Sequence, residues 1–233
     1  MSASRPTDPG AAAGAGDLSA IAAVAFDFDG TLADTRHAVV TTVDQTLSEL
    51  GVAPLAPEEI VVRMGLPLVQ VFVAAGVPAE LHAHAVARYR ARFLGNAERV
   101  ELFPGVLACL QALAAAGIPL GIASSRGRVV LLQLVEQLRI APFFSDVLGE
   151  EDAVQKKPAP ELVHVLAQRM QLPAPRMLVV GDTTFDIEMG HAAGARTCAV
   201  TYGSHDVERL RGASPHYLLD SLAELHAHVW DRP

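Results

Sequence analysis

Ile21-Ala22-Ala23-Val24-Ala25-Phe26 runs directly into Asp27-Phe28-Asp29-Gly30-Thr31-Leu32. Six consecutive apolar residues without alternation predict a short strand buried on both faces, as in a parallel sheet. The run ends in a carboxylate, so the strand delivers Asp27 to its carboxyl end. In an extended segment residues two apart point the same way. Asp27 and Asp29 are therefore expected to share one side of the strand end. Two close carboxylates repel and favour a cation beside them. Hard oxygen donors of this kind suit magnesium. Gly30 lets the chain turn sharply behind them. The plainer reading of the same residues is a polar turn after a strand.

Further along, apolar runs recur at 118–123, 177–180 and 195–200, with weaker ones at 147–148 and 216–219. Between them lie helix-length segments at 104–116, 128–138, 160–170 and 185–193. The first closes at Gly117 and the last at Gly194, in the usual C-terminal position for glycine. Strand and helix in alternation predict an α/β fold with a doubly wound, Rossmann-like parallel sheet. In such sheets the site lies at the carboxyl ends of the strands. Residues 35–97 break the pattern. They offer helical segments near 36–50, 57–63, 67–75 and 79–94, parted by Gly and Pro, and are expected to form an all-helical insertion. The expected organisation is a tail at 1–19, a core from 20–34 and 98–233, and the inserted helices at 35–97.

Three other stretches carry candidate chemistry. Gly181-Asp182-Thr183-Thr184-Phe185-Asp186 puts acidic residues at the end of a second strand. Asp182 or Thr183 alone would read as a helix N-cap. Two strands that both end in acidic pairs favour a shared metal site. Ser124-Ser125 follows the 118–123 strand, where a hydroxyl and backbone N–H groups can hold a phosphate oxygen. Lys157-Pro158-Ala159-Pro160 sets a lysine at a helix entrance, since both prolines restrict the backbone there. Lys156 is adjacent, and spacing does not choose between the two.

These four elements, in this order, resemble the haloacid dehalogenase superfamily of hydrolases and phosphatases. The likeness runs from about residue 21 to residue 212. The helical stretch, with Gly65-Leu66-Pro67-Leu68, is similar to the cap of the phosphoglycolate phosphatase and β-phosphoglucomutase branch. The resemblance implies roles residue by residue. Asp27 matches the nucleophile that forms an aspartyl-phosphate. Asp29 matches the acid/base that protonates the leaving oxygen and then activates water. Ser124 matches the hydroxyl that orients the phosphoryl group, with Ser125 beside it. Lys157 matches the lysine that steadies nucleophile and developing charge. Asp27, Asp29 through its backbone carbonyl, and Asp182 match the ligands of Mg2+, with Asp186 in support. The second motif reads Ser124-Ser125-Arg126 where some relatives have Thr-Asn-Lys. Arg126 is assigned to the substrate side, and Asp34 to the passage into the cap.

The implied activity is magnesium-dependent hydrolysis of a small phosphate monoester. The alternatives are a phosphomutase of the β-phosphoglucomutase type and a non-catalytic module that binds phosphorylated metabolites. A halide-releasing dehalogenase is disfavoured by the presence of Asp29.

Composition narrows the partners. The chain has 233 residues, 51% of them hydrophobic, enough for one sizeable core. A formal net charge of -8, without a basic run, argues against nucleic acid and anionic membrane surfaces. No apolar run reaches the roughly 20 residues of a membrane span. Residues 1–19 lack the apolar centre of a signal peptide. Cys109 and Cys198 form no metal-binding pattern and read as reduced, buried thiols. A cytoplasmic protein is expected, as monomer or dimer. Gly14-Ala15-Gly16 precedes a strand rather than following one, so no dinucleotide loop is expected. The nine histidines include no HExxH pair. The basic run Arg88 to Arg92 reads as a solvated helix face, with a substrate-facing arginine as the alternative.

Overall fold

The computed structural model describes residues 21–230, so the expected tail at 1–19 lies outside the described residues. The opening run forms β1 (Ala23–Phe26) at the centre of the sheet. Its four residues are all buried, yet they serve two faces. Val24 and Phe26 join one apolar cluster. Ala23 and Ala25 join another on the opposite side. That explains the absence of alternation in the sequence: both faces of the strand are dry.

The remaining elements follow in chain order. A two-residue strand β2 (Ala33–Asp34) leads into α1 (Arg36–Glu49), α2 (Pro57–Val61), α3 (Val69–Ala74) and α4 (His82–Asn96). The chain returns through β3 (Glu101–Leu102) to α5 (Val106–Ala115), β4 (Leu120–Ala123) and α6 (Arg128–Gln137). β5 (Asp146–Leu148), α7 (Glu161–Arg169), β6 (Met177–Gly181) and α8 (Thr184–Ala192) come next. β7 (Arg196–Val200), α9 (Val207–Gly212), β8 (Tyr217–Leu219) and α10 (Leu225–Val229) complete it.

Six strands make one parallel sheet in the order β5-β4-β1-β6-β7-β8. From β1 the chain builds outward through β4 and β5. It then returns across β1 to build β6, β7 and β8 on the other side. This reversal is the doubly wound pattern, and its crevice falls at the carboxyl ends of β4, β1 and β6. α5, α6 and α10 bury Leu110, Leu131 and Leu225 on the Phe26 face. α7 and α8 bury Leu166 and Met189 on the Ala25 face. Gly121 is needed on that second face, because a Cβ there would lie 2.6 Å from Leu166 Cδ1.

The inserted helices do not form a separate core. Val43 on α1, Phe72 on α3 and Phe93 on α4 belong to the same apolar cluster as Phe26. α4 buries Ala85, Tyr89 and Phe93, a stride of four that lines up one helix face. The basic run Arg88 to Arg92 lies on the same helix. Arg88 and Arg92 pair there with Glu49 of α1.

Three features differ from expectation. β2 and β3 pair antiparallel, Ala33 with Leu102 and Asp34 with Glu101, and make a neck for the insertion. Strands of two residues carry no periodicity to read. The helix expected from residue 104 begins at Val106, because Gly105 adopts a left-handed φ of +84°. α9 and α10, of six and five residues, are too short for a 3.6-residue period to declare itself.

Candidate active site

Two strand ends build the centre. β1 ends at Phe26 and presents Asp27, and β6 ends at Gly181 and presents Asp182. Asp186 follows in the first turn of α8. Asp27, Asp182 and Asp186 are all buried, and each offers a carboxylate oxygen within 4.8 Å of the others. Gly30 makes room for this cluster. Its φ is +86°, and a Cβ would stand 2.1 Å from Asp182 Oδ2. Gly203 approaches as closely, with a Cβ position 2.2 Å from Asp182 Cβ.

Lys157 is the ammonium of the cluster. Its Nζ donates to Asp27 Oδ1 and to Asp186 Oδ1, both at 2.6 Å, from a fully buried position. Burial opposes its charge, but Asp186 and Asp27 outweigh that effect and raise its pKa. Lys156 points elsewhere and donates to the carbonyls of Glu150 and Ala153. Space thus separates two lysines that spacing could not.

Asp182 is met by neutral donors, Thr31 Oγ1 at 3.0 Å and the Ser204 N–H at 2.6 Å. Burial, with the charge of Asp186, pushes its pKa up to about 6. Burial likewise raises Asp27 well above the usual carboxylate value, and Lys157 only partly offsets it. Three carboxylates facing one ammonium leave two negative charges unmatched when all are ionised. That donor set, all carboxylate oxygen and short of two positive charges, fits a hard divalent cation.

Asp186 divides its oxygens. Oδ1 meets Lys157, while Oδ2 accepts from the Thr183 hydroxyl at 2.6 Å and the Thr183 N–H at 3.1 Å. Thr183 is the N-cap of α8, and Asp186 closes its capping box. The cap reading and the site reading of this motif hold together, because one carboxylate does both.

Asp29 stands outside the cluster of three. Its carboxylate accepts from Thr35 Oγ1 at 2.5 Å and from Arg126, through Nε at 2.9 Å and Nη2 at 2.5 Å. Asp27 and Asp29 nevertheless line the same cavity. The chain turns at Gly30, after both carboxylates have been placed. Arg126 is tightly enclosed. Its guanidinium lies 3.9 Å above the Phe93 ring and covers Asp29 from the other side. Ser124 is buried at the end of β4, and its Oγ accepts the Arg126 N–H at 3.2 Å. Ser125 Oγ donates to the carbonyl of Gly65 in the insertion at 2.6 Å. Asp34, on the neck, holds Arg36 through Nε at 3.0 Å and Nη2 at 2.8 Å.

His205 had no signal in the sequence. It is buried, its Nδ1 accepts the Thr184 N–H at 3.0 Å, and its Nε2 lies 3.1 Å from the Val62 carbonyl. That pattern assigns the Nε2–H tautomer. Burial lowers its pKa, which keeps the ring neutral and the bridge intact. His205 ties the start of α8 to the end of α2. A lone histidine in a loop has no spacing that would disclose this.

Comparison with known proteins agrees with the geometry. Residues 24–200 match the family described as haloacid dehalogenase-like hydrolase. The phosphoglycolate phosphatase of Escherichia coli strain K12 is 32% identical, across 88% of this chain and 91% of its own. That of Salmonella typhimurium strain LT2 is also 32% identical, across 89% and 92%. A haloacid dehalogenase-like family hydrolase from Streptococcus pneumoniae superposes with a TM-score of 0.82 at 27% identity. It covers 90% of this chain and 99% of its own.

Proposed function

This chain belongs to the haloacid dehalogenase-like hydrolase family, and on that premise we propose that it is a phosphatase that hydrolyses small phosphate monoesters through Asp27. The observation that carries the reading is the buried set Asp27, Asp182 and Asp186 around Lys157, at the carboxyl ends of β1 and β6. The phosphoglycolate phosphatases above, alike over nearly the whole chain, support the same activity.

Each residue has a role consistent with its surroundings. Lys157 holds Asp27 Oδ1, which leaves Oδ2 to attack phosphorus. As that bond forms, the bond to the leaving alcohol breaks, and Asp29 gives its proton to the departing oxygen. The product on the protein is an aspartyl-phosphate. Asp29, now a carboxylate, takes a proton from water. That water attacks phosphorus, the bond to Asp27 breaks, and inorganic phosphate leaves. Arg126 and Thr35 fix the direction of the Asp29 carboxylate through both steps. Ser124, buried at the end of β4, offers its hydroxyl to a phosphoryl oxygen.

Asp27 and Asp182, with the backbone carbonyl of Asp29, would hold Mg2+, and Asp186 would support them from behind. Bound there, the ion would neutralise the carboxylates and polarise the phosphoryl group. Residues 35–97 would act as a cap over a core of residues 20–34 and 98–233. Ser125 meeting Gly65, and Arg126 meeting Phe93, would be the contacts that seat it.

The test is phosphate release from a panel of small esters, with and without magnesium. Release should need the metal, and Asp27→Asn should lower it by roughly 10³-fold or more. Full activity in Asp27→Asn would refute the covalent route.

A further inference from the structure

A cavity opens over Asp27 and Asp29, between the sheet and the inserted helices. The space at the site, open solvent at its mouth included, is about 680 Å³. The carboxylates form one end. The rest of the wall is largely hydrocarbon, with Met64, Leu66, Leu68, Val71, Phe93 and Val130 all contributing. They come from α3, α4, α6 and the segment before α3.

Several polar groups in that wall already have partners, Arg63 through the Glu59 carbonyl among them. Arg126 is forked onto Asp29. Arg90 pairs with Glu150, and Ser125 is bonded to the Gly65 carbonyl. A polyol entering here would strip water from its hydroxyls and meet carbon, a cost without return. An apolar body would release water from Leu66, Leu68 and Val130 and lose nothing.

We propose that the substrate of this site is a phosphate monoester of a hydrocarbon-bodied alcohol, whose chain or ring packs on Leu66, Leu68 and Val130. The inference rests on the phosphatase reading above and narrows it. It departs from the glycolate ester in the names of the relatives, which has no hydrocarbon body to set against that wall.

The decisive experiment has two arms on the full chain with magnesium. The first is calorimetric binding of 3-phenylpropylphosphonate, methylphosphonate and phosphonoacetate, none of which can be hydrolysed. The second is kcat/KM for 3-phenylpropyl phosphate, glycerol 3-phosphate and 2-phosphoglycolate, all esters of unactivated alcohols. The phenylpropyl compound should bind about tenfold tighter or better, and its ester should be preferred by a similar factor. Leu68→Asn and Val130→Asn should each cut that preference by about threefold or more. Equal binding of the three phosphonates, or preference for either polar ester, would overturn the proposal. Selective phenylpropylphosphonate binding without turnover of any ester would sink the phosphatase reading and with it the claim that this ester is a substrate. Turnover that favours the polar esters would overturn the proposal and keep the phosphatase reading.

Discussion

Lys157 shows how much one buried side chain can carry. It is wholly enclosed and touches two carboxylates at 2.6 Å. Replacing it with methionine keeps much of the volume and removes the countercharge. Asp27 and Asp186 would then repel each other in a dry site. Breaking a buried pair in this way costs about 3 kcal/mol or more at neutral pH. Urea unfolding of Lys157→Met should show that loss at pH 7 and a smaller one at pH 5, because burial raises the Asp27 pKa and acid favours its neutral form. An equal loss at both values would mean that packing, not charge, is what Lys157 supplies. The lysine was visible in the sequence as half of a Lys-Lys pair. Its spacing left Lys156 open, the family resemblance pointed to Lys157, and the structure carries Lys157 to Asp27 across 130 positions.

Among the elements, α8 links fold and site most directly. Its N-cap, Thr183, and its capping-box partner, Asp186, sit in the acidic centre. Thr183→Ala would remove both the cap and the 2.6 Å hydrogen bond to Asp186. A lost cap costs about 1 kcal/mol. The stability loss should be of that order, and phosphate release should fall as well, because Asp186 also holds Lys157. Thermal unfolding and activity of the same sample check both. A loss of stability with unchanged activity would make the box purely structural. Elements of this kind were legible: the strand before α8, the glycine at 194 and the Gly-Asp-Thr-Thr-Phe-Asp run each leave a local mark. The neck of β2 and β3 left none. Four residues held by pairing between distant parts of the same chain have too little sequence to show a period.

For the molecule as a whole, the acidic centre sets a link between pH, metal and stability. Asp182 has an ordinary value of 3.8 and is pushed up to about 6 by burial. Between those values the folded protein keeps a proton that the unfolded chain gives up. Metal-free stability therefore falls as pH rises through that window and stays lower above it. Asp27, also raised by burial, acts in the same direction. A divalent cation should relieve the strain only where the carboxylates are ionised. The rise in Tm on adding magnesium should be small at pH 5 and larger at pH 7.5, with protons released on binding at the lower pH. A rise that does not change with pH would place the ion elsewhere. What the sequence by itself determined was local: buried strands, their acidic ends, the glycines that stop helices, and a helical stretch between the first strand and the rest. Those are set by neighbours within a few residues, where burial and backbone preference leave a pattern. Tertiary structure alone decided that Lys157 bridges Asp27 and Asp186, that Asp29 answers to Arg126 and not to the acidic cluster, and that His205 joins α8 to α2. These depend on side chains brought together from distant positions, and no local spacing encodes such a meeting.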